Sequence, residues 1–581
     1  MTRLAKFRQA EDQVLMVLAV VIGALTGLAV VAFILCTERF GMRLYPVGGA
    51  AWRRLLFPVV GSLSIGYLLY RFFPNARGSG VPQTKTALFA RDGLITLRTV
   101  LGKFFCTSVT LASGIPLGRE GPSVQVGAGI GSVLGRMLGL GPEMVKKLIP
   151  VGAAAAIAAA FNTPLAAVLF ALEEIMGDLN APVMAAVVLA SATAWIVLRA
   201  CLGNHPLFRV PEYQLVSPVE FFVYALLGIA GGLISAAFTR LLLSMRAAFL
   251  RLPYKTTWVH PLAGGLMVGA MGWFVPQVLG VGYLYVGQAL NNGLALRIML
   301  LLVVLKFFSV ITSYASGNAG GIFGPALFIG AMLGGSLGTV AHHLLPTLTA
   351  TPGAYALVGM GAVFAGVVRA PMTSVLIIFE MTQDYAVIVP LMLANLVSLF
   401  IASQFQRQSI YEALTAQDGI HLPTAARNLR YSKRLISAAM RPPVQLLHAE
   451  MTIQESFTVM QSSDLESSPV VDSNGVIGVI SLAQLDRERN AGADHKLDAL
   501  IHAQDFLHIH ADESLDAALA RMGSGGVAML PVVSRSNIHN LEGIVTLQDV
   551  LHAYGVAVGE GHSMGDEAAA ADIPPLPAHS E

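Results

Sequence analysis

Glu120 is the side chain whose chemistry needs explaining first. It stands in Gly118-Arg119-Glu120-Gly121-Pro122, between an apolar run that begins at Leu101 and another from Ser123 to Leu140. An ionised group at membrane depth costs at least about 2.5–3.5 kcal/mol, and such groups mark pathways. The flanking glycines allow unwound backbone, which a membrane tolerates only around a cavity or pathway. Pro122 suits the first turn of a helix, where its missing N–H would be unpaired anyway. Free N–H groups at a helix start, with the positive end of the dipole, form a site for an anion. Glu120 therefore reads as a tethered anion competing with a mobile one. An ion pair with adjacent Arg119 explains it less well, because neighbours on a helix do not face each other.

A second set of carboxylates ends two similar stretches. Ala160-Phe161-Asn162-Thr163-Pro164 leads to Glu173, and Val367-Val368-Arg369-Ala370-Pro371 leads to Glu380, with nine residues from Pro to Glu in each. Upstream of each lies a Gly-rich break, Gly118–Pro122 in one and Gly321-Ile322-Phe323-Gly324-Pro325 in the other. Duplicated halves with broken helices at matching positions predict a transporter-type fold with its site at the repeat interface. The plain alternative for Glu173 and Glu174 is a carboxylate that is solvated or paired with a basic residue. For Glu380 it is a structural ion pair or a dimer contact.

The elements that must position these groups follow from composition. Of 581 residues, 55% are hydrophobic and 12% charged, with a mean hydropathy of +0.65. Soluble domains carry about 25% charged residues, so the chain is an integral, all-α polytopic membrane protein over most of its length. Apolar segments fall near 13–36, 54–72, 97–117, 123–140, 148–176, 181–202, 218–246, 258–282, 297–315, 321–345, 355–382 and 386–405. Basic Arg3, Lys6 and Arg8 precede the first, which places the N-terminus in the cytoplasm. The net charge of +2 gives no sign of a nucleic-acid partner. Cys36, Cys106 and Cys201 make no disulfide framework or metal spacing and read as small buried hydrophobes.

Beyond residue 406 the long apolar runs stop. A helical stretch Thr452–Gln461 leads to Ser468-Pro469-Val470-Val471 and then Gly478-Val479-Ile480-Ser481. Its counterpart, Ser514–Met522, leads to Leu530-Pro531-Val532-Val533 and Gly543-Ile544-Val545-Thr546-Leu547-Gln548-Asp549. Short β-branched runs between helices predict two compact α/β units. The expected organisation is a transmembrane domain over 1–415, a linker over 416–436, soluble units over 437–490 and 491–555, and a disordered tail over 556–581.

Together these motifs resemble the CLC family of chloride channels and proton-coupled chloride transporters. The resemblance runs from about residue 13 to 415. It rests on Gly78-Ser79-Gly80-Val81-Pro82, the Gly118–Pro122 stretch, Gly321–Pro325, and Tyr411 in Ser409-Ile410-Tyr411-Glu412. The soluble pair looks like the tandem CBS domains that many members carry in the cytoplasm. The resemblance implies an inverted repeat and a homodimer with one chloride pathway per subunit. Compact loops without sorting signals favour a bacterial inner membrane, with the N-terminus and the CBS pair in the cytoplasm. The resemblance also implies hydroxyl donors from Ser79 and Tyr411 and backbone N–H donors from Ile322 and Phe323. Glu120 becomes the external gating glutamate, and Glu174 the residue that takes protons from the cytoplasm in exchangers. Ser79 goes with chloride rather than nitrate. Neutral donors and helix starts suit a monovalent anion that must also leave.

Ser113-Gly114-Ile115-Pro116 is a near-copy of the Ser79 motif, but lacks a preceding glycine. In the CBS pair, Thr546 and Asp549 match nucleotide contacts, whereas Ser481 and Gln484 stand at the matching places of the first unit, so adenine-nucleotide binding is in doubt. No other cofactor, and no metal, is implied. Three other readings compete. A passive gated chloride channel would share the fold. An intramembrane serine protease would need a His partner, and His260, His342 and His343 lie at segment edges. A divalent-cation channel would want more acidic residues in its pore.

Overall fold

The structure, a computed structural model, describes residues 3–46, 48–178, 183–203, 206–208, 210–211, 213–420, 435–443, 446–462, 466–492, 495–501 and 506–554. The chain divides into two units, Met1–Pro423 and Thr424–Glu581. Among the described residues seven helices are long and apolar enough to cross a membrane.

The first half of unit one runs through helices Arg3–Leu44, Ala51–Arg71, Val81–Ala90, Leu97–Ala112, Glu120–Met137, Pro142–Phe161, Pro164–Phe170 and Met184–Leu202. The second half repeats the series: Glu220–Leu250, Pro261–Phe274, Tyr283–Leu290, Leu296–Ala315, Phe323–Leu344, Pro352–Val368, Pro371–Thr382 and Ile388–Phe405. Helix Ile410–Gln417 follows. Several helices begin on proline, which is preorganised for the first helical position. Two expected segments each split in two. Asn162 and Arg369 take left-handed φ of 62° and 69°, ending one helix just before the proline that starts the next. Asn adopts that conformation readily. Arg369 is held there by its guanidinium, which donates to the carbonyls of Gln406 and Arg407. The first helix runs to Leu44, beyond the expected boundary near residue 36.

The halves meet at equivalent points. Gly118 N–H donates to the Gly321 carbonyl and Gly321 N–H to that of Gly118, both at 2.7 Å. A residue that pairs reciprocally with its own repeat counterpart lies on a local two-fold axis. Beside it, Phe323 packs on Phe161 and Phe364, with ring centroids 4.9 and 4.2 Å apart, in the main apolar core. All three cysteines are unbridged. Cys106 is buried as expected, Cys36 is half-buried, and Cys201 is exposed, contrary to expectation, near the end of its helix.

In the second unit, Leu447–His448, Ser467–Asp472 and Gly475–Ser481 form one sheet, and Met529–Ser534 with Asn537–Thr546 another. The packing does not follow the expected cut at residue 490. Ile436 and Met440 join the core around Leu515 and Val532, while Leu497 and Ile501 join the core around Ile453 and Ile480. Each soluble unit is thus completed by a segment that precedes the other. Most of the expected linker, residues 421–434, and the expected tail over 556–581 lie outside the described residues.

Candidate functional site

Both Gly-x-Gly loops that precede the short helices are fixed by a buried lysine. Lys103 Nζ donates to the Ala76 and Gly78 carbonyls at 3.1 and 2.5 Å, and Lys306 Nζ to those of Val278 and Gly280 at 3.1 and 2.6 Å. Each ammonium is fully buried yet hydrogen-bonded to carbonyl dipoles, which lowers the cost of its charge. The loops present Ser79 and its repeat counterpart Val281. Gly80 has φ of +107°, and a Cβ there would strike the Gly121 carbonyl, so glycine lets the Ser79 loop close on the Gly118–Pro122 stretch.

Ser79 and Tyr411 are fully buried; the Tyr411 hydroxyl has no hydrogen-bond partner among the described residues, and the Ser79 hydroxyl faces the Tyr314 phenol. A buried, unpaired donor costs roughly 1–3 kcal/mol, a cost that a bound acceptor would remove. The helix of Tyr411 packs against Val81–Ala90, the helix headed by the Ser79 loop. Ile322 and Phe323 lie at the start of Phe323–Leu344, where backbone N–H groups lack a carbonyl one turn back. Pro325 and Pro122 occupy the first turns of the two repeat-related helices. By contrast, the Ser113 hydroxyl donates to the Thr110 carbonyl at 2.7 Å and is engaged by its own helix.

Glu120 is fully buried. Its helix begins at Glu120 itself, and the carboxylate does not bind its own helix start, as the sequence had suggested. It reaches across the repeat axis instead: Oε2 accepts from the Gly324 N–H at 3.3 Å and Oε1 from the Tyr283 hydroxyl. A Cβ at Gly118 would strike Oε2, so that glycine makes room for the carboxylate. Arg119 points elsewhere, to Glu38 Oε1 at 2.9 Å, with its guanidinium 5.6 Å from the Tyr283 ring.

Glu173 and Glu174 lie in a π-helical turn, Ala171–Met176, that the second repeat lacks. Such turns recur at functional sites. Here the turn sends consecutive carboxylates to different partners. Glu173 accepts from the N–H groups of Met372 and Thr373 at 3.4 and 2.8 Å and from the Thr373 hydroxyl at 2.6 Å. Glu380 returns the contact, accepting from Leu165 and Ala166 N–H at 3.0 and 2.7 Å. The Glu380 carboxylate is thus taken up by this reciprocal helix cap rather than by the ion pair weighed as its plain alternative. Glu174, nearly buried, pairs with Lys85 Nζ at 2.9 Å.

A cavity of about 410 Å³ opens beside the Ser79 loop, lined by Arg77, Gly78, Arg246, His260, Tyr314 and Asp418 among others. Asp418, just past the Tyr411 helix, pairs with Arg246 at 2.5 Å. His260 bonds Thr256 at 2.9 Å and His342 bonds Thr349. No Ser–His arrangement and no cluster of three metal-ligating side chains occurs among the described residues. In the second unit Thr546 and Asp549 form a capping box, and Asp549 also pairs with Arg441 at 3.1 Å. Ser481 accepts from the Gln484 N–H at 3.2 Å, the same turn without the acid.

Tyr283, Lys85, Lys103 and Glu38 escaped the sequence reading. A signal existed for two of them: Gly280-Val281-Gly282 mirrors Gly78-Ser79-Gly80, and Lys103 precedes Gly118 by the same spacing as Lys306 precedes Gly321.

Broken helices that bring neutral donors and a competing carboxylate to one axis define a membrane protein that handles anions. Residues 61–403 match the family described as "Voltage gated chloride channel", and 436–489 and 500–555 match "CBS domain". The chain belongs to this chloride-channel and chloride-transporter family, with a pair of CBS domains. It is 35% identical over 382 residues to the "Putative chloride channel protein ClcB-like" of Ralstonia nicotianae, covering 64% of this chain and 89% of that one. It is 34% identical over 354 residues to the "H(+)/Cl(-) exchange transporter ClcA" of Vibrio campbellii, covering 60% and 76%. A solved "slow cyanobacterial Cl-/H+ antiporter" superposes with a TM-score of 0.65 at 29% identity, over 70% of this chain and 97% of that one.

Proposed function

We propose that the protein exchanges chloride for protons, with Glu120 as the gate, and that it acts as a homodimer with one pathway per subunit in a bacterial inner membrane. The N-terminus and CBS pair face the cytoplasm. The observation that carries this reading is the carboxylate of Glu120 seated on the second repeat's helix start, where a free anion would bind. Chloride is held by the hydroxyls of Ser79 and Tyr411 and the N–H groups of Ile322 and Phe323. Gly78, Gly80, Pro82, Gly118, Arg119, Gly121, Pro122, Gly321 and Pro325 shape the backbone around it. When Glu120 is protonated it loses its charge-assisted hydrogen bonds and leaves the site, and chloride takes its place. Glu174 supplies the proton from the cytoplasmic side. Its pairing with Lys85 keeps a charge available in a buried position. Two relatives are named as Cl⁻/H⁺ antiporters, which supports exchange.

The second reading is a passive chloride channel. It is favoured by the Lys85–Glu174 pair if that pair only neutralises charge, and by the name of the Ralstonia relative. The deciding experiment drives proton movement in liposomes with a chloride gradient alone. Uphill proton transport that is lost in Glu174→Ala, with chloride flux kept, supports exchange. Chloride flux without proton movement in the parent leaves the channel.

For the CBS pair, Thr546 and Asp549 are the contacts for an adenine nucleotide. Its ribose would displace Arg441 from Asp549. Tighter nucleotide binding in Arg441→Ala tests this, and no binding in either form leaves the pair a structural module.

A further inference from the structure

Tyr283 heads the helix Tyr283–Leu290, directly after Gly282 at φ +87°. Four contacts fix its ring and loop. The Phe208 ring meets it edge-on at 5.8 Å, and Arg119 lies over its face at 5.6 Å. Glu38 holds Arg119 in turn, at 2.9 Å. Lys306 pins the loop from behind through the Val278 and Gly280 carbonyls. From this position the hydroxyl meets Glu120 Oε1, and a Cβ on Gly324 would come within 3.0 Å of that hydroxyl and 3.1 Å of Glu120 Oε2. Phenol, carboxylate and helix-start N–H converge on one point.

We infer that Tyr283 is a positioning residue for the gate, its hydroxyl latching the deprotonated Glu120 carboxylate across the pathway and setting the pH at which the gate opens. The inference rests on the reading of Glu120 as the gate. The Gly324 N–H is the longer of the two contacts, at 3.3 Å, and peptide N–H groups of this kind also await chloride. The phenol differs, because it binds the carboxylate from the loop that is the repeat counterpart of the Ser79 loop. An O–H donor to a charged carboxylate is among the stronger hydrogen bonds, and it favours the ionised form over the protonated one, which accepts more weakly. Removing it makes the ionised form less favourable, so Glu120 takes its proton at higher pH. The other ionisable groups around the carboxylate are Arg119 and Glu38 beside it, Tyr411 across the site, and Lys306 behind the loop. Arg119 is paired with Glu38, and Lys306 is bound to carbonyls, so Tyr283 is the neighbour bonded directly to the carboxylate.

The test is chloride flux from liposomes holding the full-length protein, measured against pH set equally on both sides. Tyr283→Phe is expected to move the midpoint up by about one pH unit, equivalent to a tenfold change in the proton-binding constant. Replacement of Tyr283 by 3-fluorotyrosine, a stronger donor of nearly the same size, is expected to move it down. The fluorinated residue also keeps the test informative if Tyr283→Phe fails to fold. A purely structural role predicts no midpoint shift in either, and that result overturns the latch. In a Glu120→Gln background the Tyr283 changes are expected to have no pH effect, and a shift that persists there also overturns it. Failure of the gate reading looks different: the parent and Glu120→Gln would then share the same pH profile.

Discussion

The two halves of the membrane unit share a scaffold and divide the chemistry. Each has a Gly-x-Gly loop pinned by a buried lysine, a glycine on the shared axis, and a glutamate that caps a helix of the other half. At equivalent places the first half has Ser79, Glu120 and Glu174, and the second has Val281, Phe323 and Met381. Glu120 and Glu174, the carboxylates without a repeat counterpart, lie in the first half, while the second supplies backbone N–H groups, an aromatic wall and the phenol of Tyr283. Residues that keep the repeat's symmetry hold the fold, and residues that break it are where to look for transport.

The sharpest way to break that comparison is to exchange side chains at equivalent positions. On the proposed mechanism, Glu120→Gln removes the charge that competes with chloride and carries the proton. It is expected to cut proton flux on the order of 10²-fold or more, leaving a chloride flux that no longer depends on pH. Phe323→Leu, at the same position of the second repeat, is expected to leave coupling intact and change chloride affinity only. Parallel chloride and proton flux assays measure both, and equal loss of coupling in the two variants would end the division of labour.

A smaller effect is expected at Lys85. Removing one partner of a buried pair leaves the other charge uncompensated, and a carboxyl so placed keeps its proton instead. Lys85→Met should therefore slow proton release from Glu174 and lower proton flux about tenfold at neutral pH. Chloride flux should stay within a few-fold of the parent. A proton flux equal to the parent's would make Lys85 a bystander to the pathway.

Below that come the symmetric caps. Glu173→Gln and Glu380→Gln each weaken charge-assisted hydrogen bonds to backbone N–H groups of the opposite half, worth about 1–2 kcal/mol per helix end. Both are expected to lower the thermal midpoint in detergent by similar amounts while leaving the chloride-to-proton ratio unchanged. A changed ratio in Glu173→Gln alone would extend the functional asymmetry to this pair.

Much of this was legible in the residues because membrane constraints are severe. A carboxylate between glycines in an apolar chain has few explanations, and the Pro-to-Glu repeat with its Gly-Pro breaks carried the duplicated architecture. What stayed hidden was partnership across the repeat axis. Nothing local to Glu380 tells that it caps Leu165 and Ala166, and nothing near Glu120 tells that its donors are Gly324 and Tyr283. The π-helical turn was hidden for a different reason: Ala171–Met176 has the composition of an ordinary apolar helix end, and only its register turns Glu174 toward Lys85. The soluble unit gave up its elements but not its packing, since exchanged segments leave no local pattern.

The soluble repeats extend the comparison with the smallest expected effect. In the second, Glu513 is bound by Arg521 at 2.5 and 3.0 Å and lies near Arg535. Partial burial is the largest single effect and pushes its carboxyl up, but the hydrogen bonds from Arg521 and the His510 N–H, with the charge of Arg521, together outweigh it and hold the group below the usual carboxylate range. A carboxyl lowered on folding adds stability above its unfolded pKa, and that stability is lost as pH falls through the folded value. Partly exposed pairs of this kind contribute at most about 1 kcal/mol. Hydrogen exchange on the intact protein, corrected for the intrinsic rate, is therefore expected to show segment 509–534 loosening as pH drops from neutral into the carboxylate range. Arg521→Ala should loosen it at neutral pH and remove most of the dependence. The first repeat's Ile453–Gln461 helix, whose Glu455 serves its own capping box with Thr452, should be affected less. If both repeats soften together and Arg521→Ala leaves the profile unchanged, the ion pair contributes nothing and the two soluble repeats are energetically alike.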